Sequence, residues 1–312
     1  MKHRTLMQFI AMLLCALFAV AAVPITVSAD TGPKPSVRIS FENMGDELCY
    51  GTLLSKTEST GPASAWNGDN TDARHNENEA YSYAAFDYET WKAFVEYEDT
   101  DGYYFLQEGW VVSETKKIEW TYYPPDSFKI LLYYPETQSF VVSGIYERYA
   151  FDAYYTVDMD GINIGSVAYD EERSTDERIE AYRSYPYTQE VLSLAARIVI
   201  TILMEMGIAL LFGFRRKKQL LLLIGVNTAT QILLNVLLNG TNYNAGLLAF
   251  VGFYILLELV VFVLEAILYC IWMKKFSTQP RKNWFYVLYS LVANGVSFGA
   301  GILIARWLPG IF

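Results

Sequence analysis

The alternation of apolar and polar positions changes period along this chain. From Val37 to Phe41 (VRISF) apolar residues return at every second position, which predicts a half-buried strand. Ile118 to Tyr122 (IEWTY) alternates in the same way until Pro124-Pro125 stops it. Phe128 to Tyr134 (FKILLYY) and Phe140 to Tyr146 (FVVSGIY) are two more strand-like runs. The five residues Pro135 to Ser139 between them predict a hairpin. Ala153 to Val157 reads as the last strand. Around Tyr88 to Glu98 the aromatics Trp91, Phe94 and Tyr97 fit one side of a short helix as well as a strand. After residue 190 the period gives way to long apolar runs at roughly 191–214, 219–239, 247–273 and 284–308. About 20 such residues suffice to cross a bilayer as a helix.

These patterns predict an α+β chain with separate domains. Residues 1–29 read as a signal peptide: Lys2 and Arg4, an apolar run from Phe9 to Val23, then Val27-Ser28-Ala29. An uncleaved anchor helix is the alternative. Residues 30–168 are expected to form an exported, antiparallel β-sandwich-like domain, and 169–190 (YDEERSTDERIEAYRSYPYTQE) a charged linker. Residues 191–312 are expected to form a four-helix transmembrane bundle.

Charge sharpens this division. Residues 30–190 hold 31 Asp plus Glu against 12 Lys plus Arg, whereas 191–312 hold 3 acids against 10 bases. An acidic head repels phosphate, so nucleic acid is not an expected partner. The bases of the second part collect in Arg215-Arg216-Lys217-Lys218 and in Lys274, Lys275, Arg281 and Lys282, with none in 240–246. The positive-inside bias then makes loops 215–218 and 274–283 cytoplasmic and the N-terminal domain and C-terminus extracytoplasmic. Cys15 falls in the leader and Cys270 in a span, which leaves Cys49 to be a buried core thiol. Nineteen of the 24 tyrosines lie in residues 30–190. They serve either half-exposed strand faces or an aromatic binding face. The loop Trp66 to Glu79, with His75, and the turn Asp99-Thr100-Asp101-Gly102 carry oxygen ligands but lack calcium-loop spacing.

The span Leu247 to Met273 contains 17 Leu, Ile, Val or Phe and two acids, Glu258 and Glu265, seven residues apart on one helix face. Such a helix inserts, yet it cannot show both acids to lipid. The other spans carry polar residues at helical spacing: Arg197, Thr201 and Glu205; Asn227, Gln231 and Asn235; Asn294 and Ser297. The expected intramembrane polar core is Glu205, Asn227, Gln231, Asn235, Glu258, Glu265 and Asn294. It acts either as glue between helices or as a proton or ion site. A weak internal repeat runs through it. Glu205 and Glu265 precede basic loops by ten and nine residues, and Asn227 to Thr230 and Asn294 to Ser297 both read Asn-x-x-[Ser/Thr]. The spans hold no histidine, which removes zinc-protease helices and serine–histidine dyads, and no P-loop appears. No metal and no cofactor is expected, and no enzyme motif stands out.

The segment NTATQILLN (Asn227 to Asn235), the acids in Glu258-Leu259-Val260 and Glu265-Ala266, and NGVSFG (Asn294 to Gly299) carry a resemblance. On them the chain resembles uncharacterised bacterial integral membrane proteins with an exported β-rich domain and a four-helix membrane unit. That resemblance implies the architecture and brings no activity. The expected function is a non-enzymatic, multi-pass protein of the bacterial cell envelope, whose exported domain binds or senses an extracytoplasmic partner. The alternative is a small proton- or ion-coupled transporter or subunit that uses the intramembrane glutamates. Expected partners are the lipid bilayer and another membrane protein or a second copy.

Overall fold

A computed structural model gives the structure of the chain. It describes residues 33–57, 87–162 and 178–307. The expected leader, residues 1–29, and the loop Trp66 to Glu79 with His75 lie outside the described residues. Two units result: a β-rich domain, Lys34–Tyr185, and a helical unit that begins at Pro186.

The β-rich domain holds two sheets over one core. The first sheet contains β1 (Ser36–Glu42), β5 (Lys117–Trp120), β9 (Asp152–Asp158) and β11 (Ala181–Arg183), in the order β11-β9-β1-β5. The second runs β10-β7-β6-β2-β3, from Arg178–Ile179, Ser139–Ser143, Ser127–Tyr134, Tyr50–Ser55 and Tyr104–Phe105. Two short strands add to it, β4 (Trp110–Val111) on β2 and β8 (Tyr146–Glu147) on β6. Most pairs are antiparallel, as expected, including the β6–β7 hairpin. Two are parallel, β1 with β9 and β10 with β7. A parallel partner cannot follow through a tight turn. The chain between β1 and β9 is long enough to build most of the second sheet, so it supplies that crossover.

The alternating residues explain the packing. Val37, Ile39 and Phe41 of β1 meet Phe128, Ile130, Leu132 and Tyr134 of β6 in the core between the sheets. The intervening Leu131 and Tyr133 face the other way and pack under α1 (Tyr88–Glu96) with Trp91 and Phe94. Both faces of β6 are therefore covered, which is why FKILLYY reads as nearly continuous apolar sequence. The ambiguous Tyr88 to Glu98 stretch is a helix through Glu96. Asp87 caps it, accepting from the Thr90 amide at 2.9 Å, and Phe94 is fully buried. A short helix, α2 (Val112–Thr115), leads into β5.

Two sequence expectations change here. Ala153 to Val157 is not the last strand, because β10 and β11 follow it. Residues 178–183 are therefore sheet rather than linker. Backbone pairing to β7 and β9 and the buried Ile179 hold this segment despite its charge. Cys49 is fully buried in the core, and burial pushes its thiol up to about 12.

The helical unit contains α3 (Tyr187–Leu211), α4 (Lys217–Lys275) and α5 (Asn283–Trp307). Two of these, α3 and α4, are long and apolar enough to cross a membrane. At 59 residues α4 would measure about 90 Å if straight. It is broken at Gly246, whose φ of 77° and ψ of −178° leave the helical region. Residues 219 and 273 meet across the break, as do 230 and 265, so the two arms run antiparallel about Gly246. Leu234 and Leu238 pack on Phe253, Leu257 and Val261 along the same seam. The expected loop 240–246 is helical up to the break. Thr241 and Asn244 return hydrogen bonds to the carbonyls of Leu237 and Gly240.

Candidate polar site of the helical unit

Glu265 sits on the second arm of α4 and is fully buried. Its Oε1 accepts from the Thr230 hydroxyl at 2.9 Å, and its Oε2 from the Asn294 amide at 2.7 Å. The same amide donates to the Ser290 carbonyl at 3.0 Å. One carboxyl thus ties both arms of α4 to α5, with each oxygen occupied.

Glu205 on α3 is only 1% exposed and differs in this respect. Asn227 lies beside it and also beside Tyr269, one turn beyond Glu265. Among the described residues, Glu205 Oε2, Asn227 Oδ1 and the Tyr269 hydroxyl have no hydrogen-bond partner. The three side chains are nonetheless essentially sealed from solvent. A buried polar atom without a partner is costly, so three together are informative. The Tyr289 hydroxyl approaches from α5 and donates to the Glu205 backbone carbonyl at 3.3 Å.

Asn235 and Gln231 form a second group. Arg197 Nη1 donates to Asn235 Oδ1 at 2.7 Å, and Asn235 Nδ2 donates to the Gln231 carbonyl at 2.8 Å. Glu258 stands apart from both groups. It is half-buried beside Tyr254 rather than joined to Glu265. Two helical turns keep the two acids on one face but give them different neighbours.

The internal repeat has a structural counterpart. Each acid meets the asparagine of its own helix pair, Glu205 with Asn227 and Glu265 with Asn294. The match breaks at the next residue. Thr230 crosses to Glu265, whereas Ser297 donates to the Asn294 carbonyl at 3.1 Å. The glutamate of the first pair therefore lacks the second donor that its counterpart has. Beyond the acids, toward the residues that join α4 to its neighbours, an aromatic cluster fills the interior. Phe214 meets Tyr289 at 5.0 Å and stacks on Tyr286 at 5.9 Å, with Phe212 and Phe285 alongside.

Tyr269, Tyr289 and Ser290 join this site although polarity alone did not single them out. The signal was spacing: Tyr269 follows Glu265, and Ser290 precedes Asn294, by one helical turn. In the β-rich domain, the Asp99 turn is organised by a lysine. Asp99 Oδ1 accepts from Lys129 Nζ at 2.6 Å, and Oδ2 accepts from the Asp101 and Tyr103 amides at 3.0 and 3.1 Å. Its carboxylate is spoken for by protein donors. Among the described residues no cluster of His, Cys, Asp or Glu has the makings of a metal site. Compared with protein-family models, curated proteins and solved structures, the chain matches none.

Proposed function

We propose that this chain is a non-enzymatic, multi-pass membrane protein of the bacterial cell envelope. In this reading the β-rich domain lies outside the cytoplasm and engages a partner there. A four-helix bundle made of α3, the two arms of α4 and α5 anchors it. The reading rests on the polarity of the helical unit. Leu192, Leu203, Leu259, Leu291 and Leu303 are exposed, while Glu205, Asn227, Asn235, Glu265 and Asn294 are buried. Such a surface suits hydrocarbon rather than water. The basic loops and the leader pattern support the orientation.

Site-directed labelling tests it. Asp46→Cys and Gln279→Cys are introduced one at a time, and intact cells are treated with a membrane-impermeant maleimide. Asp46→Cys should label at once and Gln279→Cys only after permeabilisation. The reverse pattern refutes the orientation, and equal labelling without a membrane fraction refutes the membrane reading.

A second reading is favoured by one observation, the free oxygen on Glu205. Here the glutamates serve an ion-coupled subunit, and Glu205→Gln should abolish ion flux in proteoliposomes. Flux that survives this replacement rules it out.

A further inference from the structure

We propose that Glu205, Asn227 and Tyr269 bind a desolvated alkali cation, with Na⁺ as the probe ion. Among the described residues, three oxygens lack a hydrogen-bond partner in side chains that are almost wholly buried: Glu205 Oε2, Asn227 Oδ1 and the Tyr269 hydroxyl. Tyr289 ties the neighbourhood together, since its hydroxyl donates to the Glu205 backbone carbonyl at 3.3 Å and its ring lies 5.6 Å from that of Tyr269, and the Asn227 side chain lies beside both Glu205 and Tyr269. All three are hard oxygen donors, with no nitrogen or sulfur among them, which selects against transition metals. They bring a single formal charge. A divalent ion asks for six or more oxygens and more than one carboxylate. The second acid nearby, Glu265, is turned to other partners, accepting from Thr230 on one oxygen and from Asn294 on the other.

The broken repeat explains why the site lies at Glu205 and not at Glu265. In the second helix pair the carboxyl is closed off by a hydroxyl and an amide. Glu205 of the first pair lacks the matching hydroxyl, because Ser297 of α5, the counterpart of Thr230, donates to the Asn294 carbonyl of its own helix. Glu265 acts as a fixed strut and Glu205 as the ligand. Tyr269 also belongs to the aromatic cluster around Phe214 and Tyr289, which packs the interior on that side of the site. This inference rests on the site of the second reading but does not require flux.

The test uses the full chain in detergent micelles, with calorimetric melting in NaCl and in choline chloride at equal ionic strength. A ligand that binds only the folded state raises the midpoint with its concentration. The expected result is a saturable rise of the helical unit's transition in NaCl alone. Glu205→Gln should lose the rise, and Tyr269→Phe should weaken the Na⁺ midpoint concentration by about tenfold, the equivalent of one lost ligand. Thr278→Ala, exposed in the segment that follows α4, should keep it. Identical melting of the unaltered protein in the two salts overturns the proposal, as does a Na⁺ response that persists in Glu205→Gln. If that variant does not fold, an unchanged Na⁺ midpoint in Tyr269→Phe overturns it equally. A Na⁺ response without Na⁺ flux in proteoliposomes sinks the transport reading and leaves the site standing.

Discussion

The β-rich domain and the helical unit place polar groups in opposite ways. In the β-rich domain the interior is apolar, and the one deeply buried cation among the described residues, Lys129, is clasped by Asp99 and Asp101 at 2.6 and 2.5 Å. In the helical unit leucines face outward and amides and acids face inward. The difference shows what each unit uses to hold together. Water drives sheets onto each other, so apolar area does most of the binding there. Under the proposed membrane reading, helices among lipid tails have no such drive, and hydrogen bonds such as Asn294 to Glu265 select the contacts.

The sharpest way to break this comparison is at Lys129. It is 3% exposed at the end of the face that α1 covers. Burial opposes its charge, but the bonds to Asp101 and Asp99 outweigh that and raise its affinity for the proton. Lys129→Met leaves the buried Asp99 carboxylate without its cation. We expect a loss of about 3–5 kcal/mol, read by urea unfolding of the β-rich domain. A loss below 1 kcal/mol would mean that the pair is ornamental.

Next in size is Glu265→Leu, which strands Thr230 and Asn294. In a membrane-like medium two interhelical bonds are worth about 1–3 kcal/mol together. Reversible unfolding of the helical unit in mixed micelles should show a loss of that order. A gain in stability would make the polar core a functional burden rather than a fastening.

The smallest effect concerns pH. Burial pushes the Glu108 carboxyl up to about 7 from 4.5. The folded chain therefore binds this proton more tightly than the unfolded one. Its favourable contribution is complete below about pH 4.5 and is lost as the pH rises through about 7. Because Glu108 is partly open to solvent, about 1–2 kcal/mol is a fair expectation. Glu108→Gln should remove about that much of the fall in unfolding free energy between pH 5 and pH 8, read by urea unfolding at each pH. An unchanged slope would assign the pH dependence elsewhere.

How far the sequence foretold all this depended on the range of the interaction. Periodicity alone located β1, β5, the β6–β7 hairpin and the four apolar runs, because burial on one face writes itself locally. It failed for β10 and β11, where Arg178 to Arg183 is as charged as a linker and only pairing to distant strands makes it sheet. It also failed for Lys129, which looks like the exposed polar member of FKILLYY until a turn from residue 99 reaches it. In the helical unit, four-residue spacing brought Asn227, Gln231 and Asn235 to one face. It did not reveal that Asn235 would accept from Arg197 while Asn227 would lie beside Glu205. Nor did it separate Glu258 from Glu265, since a shared face says nothing about which helix stands opposite at each level.

The parallel pairing of β1 with β9 has a consequence for biogenesis. β1 is near the start of the β-rich domain, yet one of its two neighbours is made only when Asp152–Asp158 emerges. A nascent chain halted before that point carries an open strand edge, the kind of surface that recruits other chains. Delivery of the first hydrophobic helix, which begins at Tyr187, follows closely on completion of the sheet. If α3 is the anchor proposed above, the order of synthesis lets the β-rich domain close just as that anchor reaches the membrane, which shortens the time during which β1 is left unguarded.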